Sequence, residues 1–409
     1  MDGAALELPY GHTSLKARCR LDLKLLEPRW PSRLDDVGFD RQFPRSSLRR
    51  FLSGRRRITI IVPDESRPCR AERLLSRMAP LLEGKEVTLL TANGIHPPMP
   101  EETLSLLYGR ENVARWQVVQ HDAGSSELVS LGTSPFGHDI RVNRLVKEAD
   151  GIITISVANL HYFAGFGGGR KMIFPGVGAR ASITENHKMV VSRGTPGAGV
   201  LRGNPVHREF LWVQSRVRHK VYHLVAGLTA DLDLSKLWGL EGGRCFNRCC
   251  DWVRRHHVVR LSEPFDFAVA SCGGFPKDIN LVQAHKSLEF AYRSVKPGGV
   301  ILFLAACPKG AGSRQFLPWF RFGPDLDAWK QALLDDYQVN GQTALAWQRK
   351  CMSHEVWMLS DLPEEVMRRL PVRPFRGLAP AIEALEKRFG RTRGLLIPHA
   401  AFVMPVLAP

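Results

Sequence analysis

Residues 151–191 read GIITISVANLHYFAGFGGGRKMIFPGVGARASITENHKMVV. The opening heptad, Gly151–Val157, is an apolar and β-branched run of strand length. The closing stretch, Ser182–Val191, has helical character, with Ser182 and Glu185 spaced as a capping box. Between them lies a loop holding Lys171, Pro175 and six glycines, at 165, 167, 168, 169, 176 and 178. A loop that gives up so many side chains lets its backbone come close to something. Grouped N–H donors in such loops suit an anion, phosphate above all. The spacing matches neither familiar phosphate loop. Arg170 and Met172 flank Lys171 where a P-loop needs Gly and Ser or Thr, and Arg170 stands where G-x-G-x-x-G needs its last glycine. What remains is a lysine loop with one histidine ten residues before the lysine and another sixteen after it.

Outward from this unit the chain alternates. Arg57–Pro63, Glu86–Thr91 and Val113–Gln120 read as strands, with helices over Ala71–Leu82 and from Pro100, and Arg141–Ala149 reads as a helix. After the loop come a helix over Pro205–Lys220 and a strand at Val221–Gly227. A second series holds strands at Phe265–Ser271, Val300–Ala305 and Arg393–Pro398, with helices at Ile279–Val295, Asp325–Tyr337 and Pro380–Arg388. This pattern predicts an α/β protein of two domains, each a mostly parallel sheet flanked by helices. The length of 409 residues agrees. The domains are drawn at 1–262 and 263–409.

Composition narrows the function. At 44% hydrophobic and 24% charged residues the chain has the material for a sizeable core. No apolar run approaches the roughly 20 residues needed to span a bilayer. The N-terminal MDGAALELPYGHTS lacks an export signal's apolar segment, so a cytoplasmic location is expected. The net charge of +17 invites a nucleic-acid reading. Its arginines are dispersed, however, and no nucleic-acid-binding motif accompanies them, so attraction of small anions is the preferred use. Cys245, Cys249, Cys250, His256 and His257 lie close in sequence, but at no recognised zinc spacing; an Arg-rich helix with incidental cysteines is expected.

In open α/β sheets ligands bind beyond the carboxyl ends of the strands. Asp64 and Arg67 follow one strand, His96 the next, and His161 follows Gly151–Val157. Singly, each is an ordinary turn, loop or core residue. Together with the lysine loop they make a site the better reading. Pro97 and Pro98 stiffen the backbone after His96. His187, on the helix after the loop, suits a metal. Gln283 and Lys286, three apart, share a helix face.

The segments PDESRP, ANGIHPPMPEE, LHYFAGFGGGRKMIFPG, ENHK, GNPVH and GGFPKDINLVQAHK resemble the signature blocks of the lactate racemase family. They fall in family order over nearly the whole chain. The resemblance implies a nickel-pincer nucleotide, a pyridinium mononucleotide with two sulfur-bearing arms that hold nickel, in a site between the two domains. It implies Lys171 as the covalent attachment point, His187 as the nickel ligand, and Gly167, Gly168 and Gly169 with Asp64 on the cofactor side. It further implies His96 and His161 as the acid–base pair, Arg67 as the group orienting the substrate, and Gln283 and Lys286 as residues of the other domain closing over it. The activity implied is inversion of C2 of a small 2-hydroxy acid by reversible hydride transfer through a 2-keto acid. Proteins that make the cofactor (a carboxylase, a sulfur-transfer enzyme and a nickel-inserting enzyme) are implied as partners. Two departures bear on the substrate. His96-Pro97-Pro98 stands where the family commonly has His-Arg-Pro, and a family tryptophan falls near Gln342. A sugar-acid 2-epimerase with the same cofactor, or a non-catalytic nucleotide-binding protein of this fold, stay open as alternatives.

Overall fold

The computed structural model describes residues 3–125 and 127–408. The chain forms two compact units, one of residues 30–254 and one of residues 1–29 with 255–409. The sequence reading placed residues 1–29 with the first domain and its boundary at 262; the structure differs on both. The short strand Leu23–Leu25 (β1) pairs in parallel with Gly394–Ile397 near the other end of the chain. The hairpin of Ala4–Tyr10 and Thr13–Cys19 carries Leu6, Leu8 and Tyr10 into one core with Phe267, Val269 and Leu302. Long-range pairing of this kind leaves no mark in local sequence.

In the unit of residues 30–254, six strands form one sheet. They are Arg57–Pro63 (β2), Glu86–Ala92 (β3), Gln117–Gln120 (β4), Gly151–Val157 (β5), Val221–Leu228 (β6) and Leu234–Glu241 (β7), in the spatial order β7-β6-β5-β2-β3-β4. All neighbours are parallel except β6 and β7, which form an antiparallel edge. The central strands are buried almost throughout, which explains their near-continuous apolar sequence. One face packs Ile153, Ile155, Ile60 and Leu224 against the helix Ala71–Met78 and its neighbours. The opposite face packs Ile152 and Val221 against Phe174, Ile183 and Phe210, which come from the glycine loop and the helices Arg180–Ser192 (α1) and Pro205–Val217 (α2).

In the other unit, the strands Phe265–Ser271 (β8), Val295–Leu304 (β9), Glu355–Leu359 (β10), Arg373–Phe375 (β11) and Gly394–Ile397 (β12) join β1 in a parallel sheet, order β11-β10-β9-β8-β12-β1. Gln283 and Lys286 lie on the helix Leu281–Ala291 (α3), which Asn280 caps by accepting from the Gln283 N–H.

Three local expectations change. The Val113–Gln120 strand is a short helix, Arg110–Arg115, followed by β4. The expected helix over 141–149 is instead the strand Asp139–Asn143 and a single turn at Leu145–Glu148. In both places a short element lies inside the window that reads its periodicity. Ser182 is no cap either, because α1 already begins at Arg180. Its hydroxyl accepts from the Arg141 N–H and donates to the Asp139 carbonyl, tying α1 to the neighbouring strand. Among the described residues, no helix is long and apolar enough to cross a membrane.

Leu8 is fully buried in the core of the unit that holds the C-terminal sheet. Leu8→Ala should therefore destabilise the protein by about 2–5 kcal/mol in denaturant unfolding. A loss below about 0.5 kcal/mol, the range of an ordinary surface change, would contradict this placement of the hairpin.

Candidate active site

β5, β2 and β3 are parallel neighbours, so their carboxyl ends lie along one edge of the sheet. Asp64 follows β2, His96 follows β3 and His161 lies just beyond β5. The structure joins the first two directly, with His96 Nδ1 2.5 Å from Asp64 Oδ2. Asp64 is buried, and its other oxygen accepts from the Ser66 N–H and hydroxyl at 3.2 and 2.6 Å. The Arg67 guanidinium stands 3.7 Å from that oxygen. Burial alone pushes the Asp64 carboxyl up, but the His96 hydrogen bond and charge, Arg67 and Ser66 outweigh it and hold it well below the usual carboxylate range. Asp64 is thus ionised and accepts only, so His96 carries a proton on Nδ1, and the neutral form of the ring has its lone pair on Nε2. The sequence had grouped Asp64 with the cofactor side; its visible partners are His96, Ser66 and Arg67.

His161 lies in a two-residue ladder with Gly165 and Phe166. Its Nδ1 accepts the Ala164 N–H at 3.3 Å, which puts the proton of the neutral ring on Nε2. In their neutral forms the two rings are therefore opposite tautomers.

Phe163 gathers the remaining groups. Its buried ring lies edge-on to His161 at 4.6 Å and to His187 at 5.1 Å, and the Lys171 ammonium is 5.8 Å from its centroid. Lys171 also stands 5.6 Å from the Phe210 ring. Burial, and then the charge of Lys171, push His187 down to about 3. His187 Nδ1 is buried with no partner in hydrogen-bond geometry, although the Ile183 carbonyl one turn back is close enough to favour a proton there. A neutral imidazole that keeps its proton on Nδ1 has Nε2 for a metal.

The glycines serve a nearer purpose than an anion. The Gly167 N–H donates to the Asn159 carbonyl at 2.8 Å and the Gly169 N–H to Ser156 Oγ at 2.8 Å, so neither is left for a ligand. A Cβ on Gly167 would strike the Asn159 side chain, and one on Gly168 (φ 88°) would meet the Val157 carbonyl at 2.6 Å. These glycines let the loop fold back on the end of β5. Gly176 similarly accepts the Gly94 N–H at 2.8 Å, which joins the lysine loop to the His96 loop.

Sequence reasoning left Phe163, Arg170 and His207 without a role, although all three lie inside motifs it singled out. Arg170 is buried, donates from Nε to His207 Nδ1 at 2.9 Å and stacks 4.4 Å from the Phe246 ring. Its two terminal nitrogens have no hydrogen-bond partner among the described residues. Burial lowers it to about 10, and burial with the charges of Arg170 and Lys171 lowers His207 to about 3. In the other unit, Lys286 donates to Gln283 Oε1 at 2.5 Å, so the two share a helix face as expected. Cys249 and Cys250 pack with Trp252 and Val253 on the helix Phe246–His257, and burial raises their thiols to about 12 and about 11. Among the described residues no three His, Cys, Asp or Glu side chains gather to hold a metal.

Known proteins match this chain in sequence and fold. The lactate racemase N-terminal domain matches residues 40–199, and the lactate racemase C-terminal domain matches residues 261–401. A lactate racemase from Thermoanaerobacterium thermosaccharolyticum is 27% identical over 350 residues, covering 83% of this chain and 82% of that protein. One from Lactiplantibacillus plantarum is 27% identical over 372 residues, covering 87% and 85%. The fold is similar to the solved apoprotein of the Thermoanaerobacterium enzyme, with a TM-score of 0.87 at 24% identity over 98% of this chain and all of that one. It is also similar to a Thermotoga maritima protein, with a TM-score of 0.74 at 18% identity over 94% of this chain and all of that one. The relatives named lactate racemase place the chain in an isomerase class. The chain belongs to the lactate racemase family.

The electrostatics set a pH profile for stability. His187, His207 and His223 are each depressed from 6.5 to about 3 by burial first and neighbouring cations second. Between those values the unfolded chain binds protons that the folded one does not, so acid favours unfolding. Asp64 is depressed too, so its contribution is present above the unfolded value near 4 and fades as pH falls further. Unfolding free energy should fall steadily as pH drops from about 6.5 to about 3. His207→Gln should flatten the slope, and equal slopes in the two proteins would contradict this account.

Proposed function

We propose that the chain is a racemase or epimerase that inverts C2 of a small 2-hydroxy acid, lactate or a close relative, with a nickel-pincer nucleotide held on Lys171. The convergence of Lys171, His187 and His161 on one aromatic ring, on the same sheet edge as the Asp64–His96 pair, carries this reading. The residues fit the group. Lys171 sits among aromatic faces next to a buried, neutral histidine whose Nε2 suits a metal. His187 would hold the nickel and Lys171 the covalent link. When bound, the nucleotide would supply a reversible hydride acceptor for C2 of the substrate.

The protein's own residues handle the protons and the carboxylate. His96, with Nδ1 committed to Asp64, accepts the substrate hydroxyl proton at Nε2. His161, in its protonated imidazolium form, would donate a proton for the opposite face and be left neutral. Their roles exchange in the reverse direction, since an imidazole can serve as either acid or base. Asp64 keeps His96 in the accepting tautomer. Arg67, half-exposed beside Asp64, offers a fork to the substrate carboxylate. Gln283 and Lys286 are included as further substrate contacts on the strength of the family resemblance.

Protein produced with the three cofactor-making proteins should carry a nucleotide adduct by intact-mass measurement, and Lys171→Ala should lack it. His187→Ala should lose nickel. His96→Ala and His161→Ala should keep it while interconversion falls by about 10²–10⁴. A 2-hydroxy acid deuterated at C2 should retain its label after inversion in ordinary water, because hydrogen carried as hydride does not exchange with solvent. Extensive washout would instead indicate removal of the C2 hydrogen as a proton and would overturn the mechanism.

A further inference from the structure

Glu209, on α2, is fully buried and pairs with His138. Its carboxylate is fully engaged. Oε1 accepts from the Ser134 hydroxyl at 2.5 Å and from His138 Nδ1 at 2.8 Å, both in the turn that leads into Asp139–Asn143. Oε2 accepts from Asn186 Nδ2 at 2.8 Å. Asn186 is also fully buried, on α1, and its own oxygen has no partner among the described residues. The amide of Asn186 is thus spent on Glu209 alone.

His187 is the next residue. Ser182 ties the start of α1 to the neighbouring strand, and Ile183 and Met189 pack its apolar side into the core. The Asn186–Glu209 bond, a turn beyond Ser182, is a buried polar tie from α1 to α2 beside His187. We propose that Glu209 is a positioning residue: through Asn186 it fixes the rotation of α1 and so the aim of His187. The inference rests on His187 being the nickel ligand, as proposed above. Partners behind a metal-bound residue commonly change metal affinity by about 10- to 100-fold when removed.

Two single substitutions separate this role from simple packing. Asn186→Ala cuts only the link from Glu209 to α1. Ser134→Ala removes a donor from the same carboxylate and leaves that link intact. Two measurements are compared: nickel kept by the holoprotein on dialysis against a chelator, and the ring-nitrogen NMR signature of His187 in the apoprotein. Asn186→Ala should weaken nickel retention by about 10- to 100-fold and convert a single Nδ1–H tautomer of His187 into a mixture. Ser134→Ala should match the wild type in both. If Asn186→Ala fails to fold, Glu209→Gln carries the same comparison, since an amide cannot accept from all three donors as the carboxylate does. Wild-type nickel retention together with an unchanged His187 signature in the Asn186 variant would overturn the proposal. If the wild-type protein itself takes up no nickel, the functional reading fails, and the NMR comparison still decides whether Glu209 aims His187.

Discussion

Everything in the candidate site depends on three parallel strands ending side by side. β5, β2 and β3 are hydrogen-bonded neighbours running the same way, so the residues that follow them share one edge of the sheet. An antiparallel arrangement would send every second loop to the far side. The parallel one leaves positions 64, 96 and 161 along the same edge of the sheet with no long excursion of the chain. The crossing bond from Gly94 to Gly176 then fastens the second of these loops to the lysine loop.

The second constraint is electrostatic. Two cations, Arg170 and Lys171, lie beside three histidines within a largely aromatic and aliphatic interior. Positive charge added there would be desolvated and repelled, so His187, His207 and His223 stay neutral. Neutrality is also what a metal or a hydrogen-bonded guanidinium asks of an imidazole. Asp64 shows the opposite solution. Its burial is offset by a histidine, an arginine and a hydroxyl close by, and it stays charged. One unit thus maintains both a fixed anion behind His96 and a neutral imidazole at His187.

The glycine loop shows how a correct motif can carry a wrong physical reason. Its composition suggested N–H groups offered to an anion, yet those of Gly167 and Gly169 are satisfied within the protein. The absent side chains instead allow the loop to lie against Asn159 and the Val157 carbonyl. That packing places Lys171 and Phe163 where they are. Composition reveals that a backbone must come close to something; it does not say to what.

Much was legible in the sequence. The strands Arg57–Pro63, Gly151–Val157 and Phe265–Ser271 appear where their apolar, β-branched runs place them, because a strand buried on both faces has to be apolar along its length. The strand-end positions of Asp64, His96 and His161, and the common helix face of Gln283 and Lys286, follow from local periodicity in the same way. Tertiary structure alone decided the rest. It carried the first 29 residues across to the C-terminal sheet, paired Asp64 with His96, set Phe163 at the centre of the site, and tied Asn186 to Glu209. Each of these joins residues distant in sequence through a shared buried surface or a single hydrogen bond. Local pattern records which face of an element is buried, but not which other element buries it.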